Sequence, residues 1–298
     1  MIKWGIDLGG TKIEGVIIDT ANENKIIARK RVPTEGQNGY HHVLNQIKKL
    51  IDLLKDESSI HPERIGIGTP GSIYPPTGLL KNSNSIHLNN QPILSDLQNI
   101  LKIPVALAND ANCFALAETH MGSVTGLMIE TPVVFGVIMG TGVGGGLVVN
   151  GQIINGANGI GGEWGHNFLD ASGGECYCGK SGCTETVISG PALEKFYEQI
   201  SGQRKALQQI VLDQKSDSHA KATIDRLIHF FGLGISTIIN IIDPNVIVIG
   251  GGVGNIDLLY TRGLEEVKKY VFNPDCSTQI LKPKLGDSAG VFGAAFLN

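Results

Sequence analysis

The chain has 298 residues, of which 42% are hydrophobic and 17% are charged, and its formal net charge is −4. This length is enough for two domains of about 150 residues each, and the composition is that of an ordinary globular protein. The weak negative charge and the lack of a basic block give no electrostatic footprint for nucleic acid. The 40 glycines cluster in turns and not in a repeat, which excludes collagen-like and low-complexity chains.

The sequence shows neither a secretion signal nor a membrane span. Lys3 is followed at once by a short strand pattern and not by an apolar run. The longest uncharged stretch, 132–162, is interrupted by glycines every few residues, unlike a transmembrane helix of about 20 apolar residues. We therefore expect a cytoplasmic protein that binds neither membranes nor nucleic acid.

The first part of the chain alternates between predicted strands and predicted helices. Strands are expected where short apolar runs end in turns, and helices where apolar residues recur every three or four positions. On these criteria the strands fall at 2–6, 14–19, 64–68 and 105–108, and the helices at 42–55, 94–101 and 109–121.

The opening pattern of strand, glycine turn and strand returns in the second half. Aligned without gaps, GIDLGGTKIEGVIID (5–19) lies over GVIMGTGVGGGLVVN (136–150), and three glycines coincide, namely Gly5/Gly136, Gly9/Gly140 and Gly15/Gly146. Shared glycines are weak evidence alone, because both segments are glycine-rich. Together with the matching strand patterns they predict two halves built alike, with a cleft between them.

Strands and helices continue to alternate after residue 132. Strands are expected at 133–138, 146–150, 246–249 and 279–283, and helices at 190–200, 203–214, 220–242, 257–270 and 288–297. Asp243-Pro244 ends the longest of these helices, because proline disfavours helical backbone in the residue before it. This alternation is typical of an α/β fold.

Two glycine-rich turns have the chemistry of phosphate binding. In DLGGTK (7–12) and GTGVGGG (140–146), glycine lets backbone N–H groups approach an anion closely. Asp7 would reach a phosphate through Mg²⁺, which prefers carboxylate, water and phosphate oxygens. Neither turn is a Walker A loop or a Rossmann fingerprint, because Gly-Lys-Ser/Thr is missing and a strand follows each turn. The alternative for either turn is a hairpin that binds no ligand.

A third glycine run follows the strand predicted at 246–249. Gly250, Gly251 and Gly252 would let a nucleotide base or ribose lie against the backbone. Three glycine runs, two of them in matched positions, make a nucleotide site the better interpretation.

One short segment has the spacing of a zinc site. His166, Cys176, Cys178 and Cys183 supply an imidazole and three thiolates, and structural zinc is almost always held by four such ligands. Protein side chains would occupy all four coordination positions of the metal, so no position remains for an activated water. We therefore predict that the zinc is structural. Unligated thiols and a disulfide are the alternatives. Cys113 and Cys276 stand alone and are expected to be buried small hydrophobic residues.

Polar side chains suited to a sugar lie near this segment and near the strand predicted at 105–108. Glu163 and Glu185 flank the zinc segment, and carboxylates accept hydroxyl hydrogen bonds well; the alternative is that they are surface acids. Asp110 is suited to accept the proton of an attacking hydroxyl in phosphoryl transfer, with Asn109 orienting the sugar. The alternative is that one of these two residues is a helix N-cap. Asn84, and Asn82 beside it, are either hydroxyl-binding residues or ordinary turn asparagines.

Together these motifs resemble the ROK family (repressors, open reading frames, kinases), within the actin/hexokinase/Hsp70-like superfamily. The resemblance covers essentially the whole chain. It rests on DLGGTK (7–12), PGS (70–72), NDAN (109–112), GTGVGGG (140–146), EWGH (163–166), CxCGxxGCxE (176–185) and GGG (250–252). It implies a two-domain α/β protein with the actin-like (ribonuclease H-like) ATPase fold and a cleft between the domains. The small domain is expected at 1–120, with a helix at 285–298 returning to it, and the large domain at 121–284.

The resemblance also implies a role for each matched position. Asp110 would be the catalytic base. Sugar contacts would come from Asn84, Asn109, Glu163, His166 and Glu185, with His166 also ligating zinc. ATP and Mg²⁺ would be held by Asp7, Gly9, Gly10, Thr11, Lys12, Gly140, Thr141, Gly142 and Gly144. A homodimer is implied as well. The winged helix-turn-helix of the family's repressors is not expected, because this chain begins directly at the first strand.

Within the family, the amino-acid sequence of several motifs is most similar to that of bacterial fructokinases that also accept mannose. These motifs are KNSNS, LNNQP, EWGHN, CYCGKSGC and GDSAGVFGAA. We therefore expect ATP-dependent phosphorylation of D-fructose. The loop between His166 and Cys176 is nearer the length seen in ROK glucokinases, so a glucokinase or an N-acetylhexosamine kinase is the alternative. Two alternative functions come from other classes of protein: a non-catalytic sugar sensor, and a chaperone-like or filament ATPase.

Overall fold

The computed structural model describes residues 1–297, with the side chain of Asp287 also outside the described part. Its first sheet has the strand order β3-β2-β1-β4-β7. β1, β2 and β3 form an antiparallel meander, and β4 and β7 continue the sheet in parallel from β1. These strands are β1 (Ile2–Leu8), β2 (Lys12–Asp19), β3 (Lys25–Pro33), β4 (Ile65–Thr69) and β7 (Val105–Asn109). A small hairpin follows β4 and consists of β5 (Ser72–Tyr74) and β6 (Leu79–Lys81).

The second sheet repeats this arrangement, with the order β10-β9-β8-β11-β12. β10 pairs with β9 in antiparallel fashion, and β11 lies parallel to both β8 and β12. The strands are β8 (Val133–Met139), β9 (Val143–Val149), β10 (Gln152–Ile153), β11 (Val246–Gly250) and β12 (Gln279–Leu281). The two halves are therefore built alike, as the repeated glycine pattern predicted, and both belong to the α/β class.

Helices follow the strands in both halves. They are α1 (Tyr40–Ser58), α2 (Ile93–Leu101), α3 (Asp110–His120), α4 (Thr184–Ile188), α5 (Gly190–Ser201), α6 (Leu207–Asp213), α7 (Ser218–Ile242), α8 (Gly251–Gly254), α9 (Arg262–Lys268) and α10 (Ala289–Ala295). Most lie within a few residues of their predicted ranges. The helix predicted at 285–298 is shorter, and residue 298 lies outside the described residues.

Several strands differ from the prediction. β5, β6 and β10, of two or three residues each, were not predicted. β9 begins at Val143, not at residue 146, so Gly144 and its two neighbours lie in a strand and not in a turn. Glycine is depleted in strands, but here Gly145 and Gly146 let other segments approach the backbone closely. β3 was not predicted, because it is an edge strand with several charged, exposed side chains and lacks a clean apolar alternation.

The chain divides into two compact units, whose boundaries differ in part from the expected domains. The first comprises Met1–Met128, Gly146–Gly161 and the chain from Lys284 onward, and the second comprises Ile129–Gly145 and Gly162–Pro283. The segment Gly146–Gly161 was assigned to the large domain from sequence. It belongs to the first unit because Gly146, which has no side chain, lies against the α3 backbone: a Cβ there would be 2.7 Å from the carbonyl oxygen of Ala111.

Helix α10 is packed into the first unit at backbone distance. A Cβ on Gly66 would lie 1.8 Å from the carbonyl oxygen of Ala294, and one on Gly293 would lie 1.7 Å from that of Cys113. The segment before α10 is held by Glu118 at the end of α3. This fully buried carboxylate accepts hydrogen bonds from the backbone N–H groups of Lys284 and Leu285. Cys113 is buried, as expected, whereas Cys276 is half-exposed.

Because α10 approaches β4 closely, adding one methyl group at Gly66 is predicted to have a large effect on stability. We expect Gly66→Ala to lower the free energy of unfolding by on the order of 3 kcal/mol, because overpacking against backbone cannot be relieved by a side-chain movement. Gly126→Ala is the matched control, since its Cβ would meet nothing within 4 Å. Denaturant unfolding of both variants checks this, and equal stabilities would contradict the close packing.

Helix α7 has the length and composition of a membrane span, but it is a core helix in this structure. Its most apolar 18-residue window is 61% buried inside the protein. Ile224, Leu227, Phe231 and Ile235 are among the side chains it buries, at the spacing of one helical face. Length and hydropathy alone are therefore weak evidence for a membrane location.

Candidate functional site

The turn between β1 and β2 in the first unit has the form expected of a phosphate cradle. Gly9 N donates to Lys12 O at 3.0 Å, and a Cβ on Gly9 would lie 2.8 Å from that oxygen, which requires glycine. Gly10, Thr11 and Lys12 are exposed. Thr34, just after β3, fixes the turn by donating its hydroxyl to Gly9 O at 2.6 Å. The turn is therefore rigid and its tip is accessible.

Asp7 lies in β1, close beneath this turn, and the predicted base Asp110 is near it. A Cβ on Gly290 would lie 3.1 Å from the Asp7 carboxyl carbon, so glycine at the start of α10 makes room for the acid. Burial raises the pKa of Asp7 to about 6, and the negative charges of Asp110 and Glu14 add to the rise. A cation bound here would relieve this repulsion, as expected of a carboxylate that holds Mg²⁺.

Asp110 and Asn109 stand at the junction of β7 and α3. Asn109 is the helix N-cap: its Oδ1 accepts a hydrogen bond from Asn112 N at 2.7 Å, which leaves its Nδ2 group for a ligand. Asp110 is the first helical residue, and its Oδ1 accepts from Ala111 N at 2.8 Å. The side chain of Asp110 is accessible to solvent, and desolvation by the surrounding protein raises its pKa. The raised pKa makes this carboxylate a better proton acceptor than an ordinary aspartate.

Asn84 lies on an exposed loop of the first unit after β6. The loop is held in shape by Asn89, whose side-chain amide both accepts from Ser83 N at 2.9 Å and donates to Ser83 O at 2.8 Å. Asn82 has a left-handed backbone with a φ of 59°, so it is a turn asparagine. Asn89 was not singled out from the sequence, although the pattern LNNQP contains it.

In the second unit, the other two glycine runs lie side by side. β8 and β11 are parallel, with Gly250 opposite Ile138, so both runs begin at the same edge of the sheet. The turn is closed by Gly140 N, which donates to Gly142 O at 2.9 Å. Gly251 has a φ of +83°, and a Cβ there would lie 2.2 Å from Met139 O. The structure therefore brings these two predicted nucleotide-binding runs together.

Glu185 connects the zinc segment to this turn. Its Oε2 accepts a hydrogen bond from Val143 N at 2.9 Å, and a Cβ on Gly142 would lie 2.6 Å from the same oxygen. Glu163 is half-buried and precedes the short 3-10 turn Trp164–His166. The segment after Glu163 is fixed to β9, because Trp164 Nε1 donates to Gly144 O at 3.1 Å. The carbonyl of Gly144 is therefore the hydrogen-bond acceptor that holds this segment against β9.

The four predicted metal ligands converge. Their ligand atoms all lie within 4.8 Å of one another. The Sγ atoms of Cys178 and Cys183 are 3.6 Å apart, and Cys176 Sγ is 3.7 Å from His166 Nδ1. A tetrahedral zinc with ligands at about 2.0 to 2.3 Å would separate them by about 3.5 to 3.8 Å. The donor set and its spacing therefore fit structural zinc.

Tyr177, between two of the cysteines, was not predicted as a site residue. Its hydroxyl lies 3.0 Å from His166 Nε2, and its ring meets the imidazole edge-on. His166 therefore directs Nδ1 to the metal cluster and Nε2 to this hydroxyl, at the position that the resemblance implies for a sugar contact. The position of Tyr177 within CYCGKSGC was the signal that would have found it.

The chain that carries these residues matches a known protein family. The family model described as ROK matches residues 3–298, so the chain belongs to the ROK family. It is a sugar kinase of that family and has the actin-like ATPase fold. The "N-acetyl-D-glucosamine kinase" of Histophilus somni is 35% identical over 306 residues, covering 99% of this chain and 98% of that protein. The protein of the same name from Vibrio atlanticus is 34% identical and covers 99% of both chains.

Solved structures give the same family. The ROK hexokinase from Thermus thermophilus superposes with a TM-score of 0.88 at 31% identity, covering 99% of this chain and 97% of that one. A ROK family glucokinase from Streptomyces griseus, at 24% identity and a TM-score of 0.76, shares the fold.

The relatives favour the alternative of an N-acetylhexosamine kinase over the fructokinase that was expected first. Trp164 in EWGHN contributed to that expectation. In the structure it is 6% exposed, and its ring contacts Gly145 and Gly234. A residue that packs into the core in this way gives little information on which sugar the protein binds.

Proposed function

We propose that this protein transfers the γ-phosphoryl group of ATP to a hydroxyl of N-acetyl-D-glucosamine. The observation that carries the proposal is full-length similarity, at 33–35% identity, to several bacterial proteins named for that activity. The site residues support a kinase: Asp110 is an accessible carboxylate with a raised pKa, and Asp7 lies beside an accessible glycine turn.

In the proposed reaction, Asp110 accepts the proton of the attacking sugar hydroxyl. Asp7 would hold Mg²⁺, which would neutralise charge on the phosphates, and the turns at 9–12 and 140–142 would bind the phosphates through backbone N–H groups. Glu163, Glu185, Asn84 and Asn109 bind the remaining sugar hydroxyls. Phosphoryl transfer depends mainly on positioning and on stabilisation of developing charge, so these groups are sufficient.

We also propose that zinc is bound by His166, Cys176, Cys178 and Cys183. When bound, zinc supplies structural cross-linking and not an activated water, since the four protein ligands complete a tetrahedron. The chain's own contribution is to link the metal segment to the glycine turn through the Glu185–Val143 hydrogen bond. Glu163 and Glu185 are thereby held in fixed positions.

The test is ADP release by the purified protein with Mg²⁺ and ATP, measured against N-acetyl-D-glucosamine, N-acetyl-D-mannosamine, D-glucose, D-mannose and D-fructose. We expect the highest kcat/KM with N-acetyl-D-glucosamine. A preference for D-fructose would restore the first expectation and refute this acceptor. ATP hydrolysis independent of any sugar would favour a chaperone-like or filament ATPase, and no turnover with any sugar would favour a sensor.

We further propose a cytoplasmic homodimer, as the family resemblance implies. Light scattering after size-exclusion chromatography should give about twice the mass of 31.7 kDa. The mass of a single chain would refute the dimer.

A further inference from the structure

The loop 167–175 connects the histidine of the proposed zinc site to its first cysteine, and backbone hydrogen bonds tie it to the last cysteine as well. Gly182, which directly precedes Cys183, makes these bonds. Its carbonyl oxygen accepts a hydrogen bond from Leu169 N at 2.7 Å, and its own N–H group donates to Gly174 O at 2.8 Å. A displacement of the loop would therefore displace the segment that carries Cys183.

The same loop packs against helix α4, which follows the last cysteine. A Cβ on Gly173 would lie 2.5 Å from Thr186 Oγ1, so glycine lets the loop approach the helix closely. At the beginning of the loop, Asn167 O accepts a hydrogen bond from Thr184 N at 2.9 Å. The conformation of the loop and the position of α4 therefore depend on each other.

Arg226 of helix α7 holds the middle of this loop. Its Nη2 group donates a hydrogen bond to Ser172 Oγ at 2.7 Å. Ser172 in turn donates its backbone N–H to Asp170 Oδ1 at 2.9 Å and its hydroxyl to the same oxygen. The negative charge of Asp170 also acts on the Arg226 guanidinium. The turn formed by residues 170–172 is therefore fastened to α7 through one arginine.

Two aromatic rings fix the guanidinium group itself. Its central carbon lies 4.7 Å from the ring centre of Phe196 in α5 and 4.6 Å from that of Phe230 in α7, and a planar guanidinium stacks well on such rings. Arg226 Nε is buried and has no hydrogen-bond partner among the described residues. An unpaired buried donor is unfavourable, and an apolar side chain would fill this place at a lower cost in free energy. The arginine therefore serves a purpose other than packing, and its Nη2 group indicates that the purpose lies in the loop.

We propose that Arg226 is a positioning residue of the zinc site, an inference that rests on the zinc binding proposed above. Arg226 keeps the loop 167–175 in the conformation that holds Cys183, through Gly182, among the four donors. Because the ligands are already placed, less free energy is lost in ordering the segment when zinc binds. Groups that orient metal ligands without touching the metal typically change the affinity for the metal by about 10- to 100-fold.

The test is the zinc dissociation constant of the purified protein, measured by competition with a chromophoric chelator, for the wild type, Arg226→Met and Ser172→Ala. Methionine keeps an unbranched side chain between the two rings and removes the donor. Ser172 is exposed, so its replacement leaves the packing of the second unit intact. We expect the dissociation constant to rise about tenfold in each variant.

The double variant and a matched control sharpen this test. Arg226 and Ser172 act through the same hydrogen bond, so the two losses of affinity should not multiply when both residues are replaced. Arg204→Met is the control, because it makes the same change in the same unit at a side chain that is 88% exposed. It should leave the zinc dissociation constant unchanged.

Thermal unfolding of the chelator-treated proteins distinguishes positioning of the ligands from general support of the fold. If Arg226→Met is less stable without zinc but keeps the wild-type dissociation constant, Arg226 supports the fold alone and the proposal is overturned. Wild-type zinc affinity in Ser172→Ala overturns it as well. A wild type that binds no zinc overturns both the zinc site and this inference, whereas the kinase activity is decided separately by ADP release with the sugars.

Discussion

Replacing Asp110 with alanine is expected to lower kcat by a factor of about 10² to 10⁴, the range that a positioned general base contributes. The physical reason is that the attacking hydroxyl would lose the carboxylate next to Asn109, at the start of α3. Desolvation raises the pKa of Asp110, so in the wild type its affinity for the transferred proton is greater than that of an aspartate with the ordinary pKa.

The affinity for the sugar should change little in this variant. Asn109 keeps its place through the cap to Asn112 N, which does not involve the Asp110 side chain. The fold should not be destabilised, because the variant removes a negative charge that repels the Asp7 carboxylate. Steady-state kinetics, calorimetric titration with the sugar and thermal unfolding together check these expectations.

Asp56→Asn is the matched control for charge removal. Asp56 is exposed on α1 of the same unit, and its replacement should leave kcat unchanged. If Asp110→Ala kept more than about a tenth of the wild-type kcat, Asp110 would not be the base. If the variant lost sugar binding in proportion to kcat, its role would be in binding and not in proton transfer.

Replacing Cys183 with serine is expected to abolish zinc binding and to lower the melting temperature by several degrees or more. Cys183 is fully buried, and its sulfur is one of the four convergent donors. A structural zinc site contributes its binding free energy directly to folding. The segment it organises also carries Glu185, which accepts from Val143 N, so kcat/KM should fall as well.

Cys276→Ser is the control that the chain itself offers. Cys276 is half-exposed and stands apart from the cluster, so this variant should keep full zinc content and stability. Metal analysis of the purified proteins and thermal unfolding with and without a chelator measure both effects. Full zinc content in Cys183→Ser would show that this cysteine is not a ligand, and a wild type without zinc would refute the site.

Features set by neighbouring residues could be read from the sequence. The four metal ligands lie within 18 consecutive positions, 166–183, so their spacing alone restricts them to one small volume, and the structure brings them together. The glycine turn at 9–11 and the helix start at Asp110 are also local, because they depend on backbone freedom and on capping. The repeated strand and turn pattern predicted the matching order of the two sheets in the same way.

Features that join distant segments could not be read in this way. A pocket of about 190 Å³ beside Asn109 is formed by the loop after β4, the start of α3 and the loop after β10, and the meeting of these segments depends on the order of the strands and on packing. The role of Glu185 at the glycine turn and the inward packing of Trp164 have the same origin.

The sequence by itself therefore determined the family and the α/β class, and it predicted the base, the metal ligands and the glycine turns. These depend on residue type, periodicity and short spacing. The tertiary structure decided that Asp7 lies close to Asp110, that the segment 146–161 joins the first unit, and that the loop after β10 meets the junction of β7 and α3. Those contacts depend on shape complementarity between segments far apart in the chain, such as Gly146 against Ala111, which no local pattern of residues encodes.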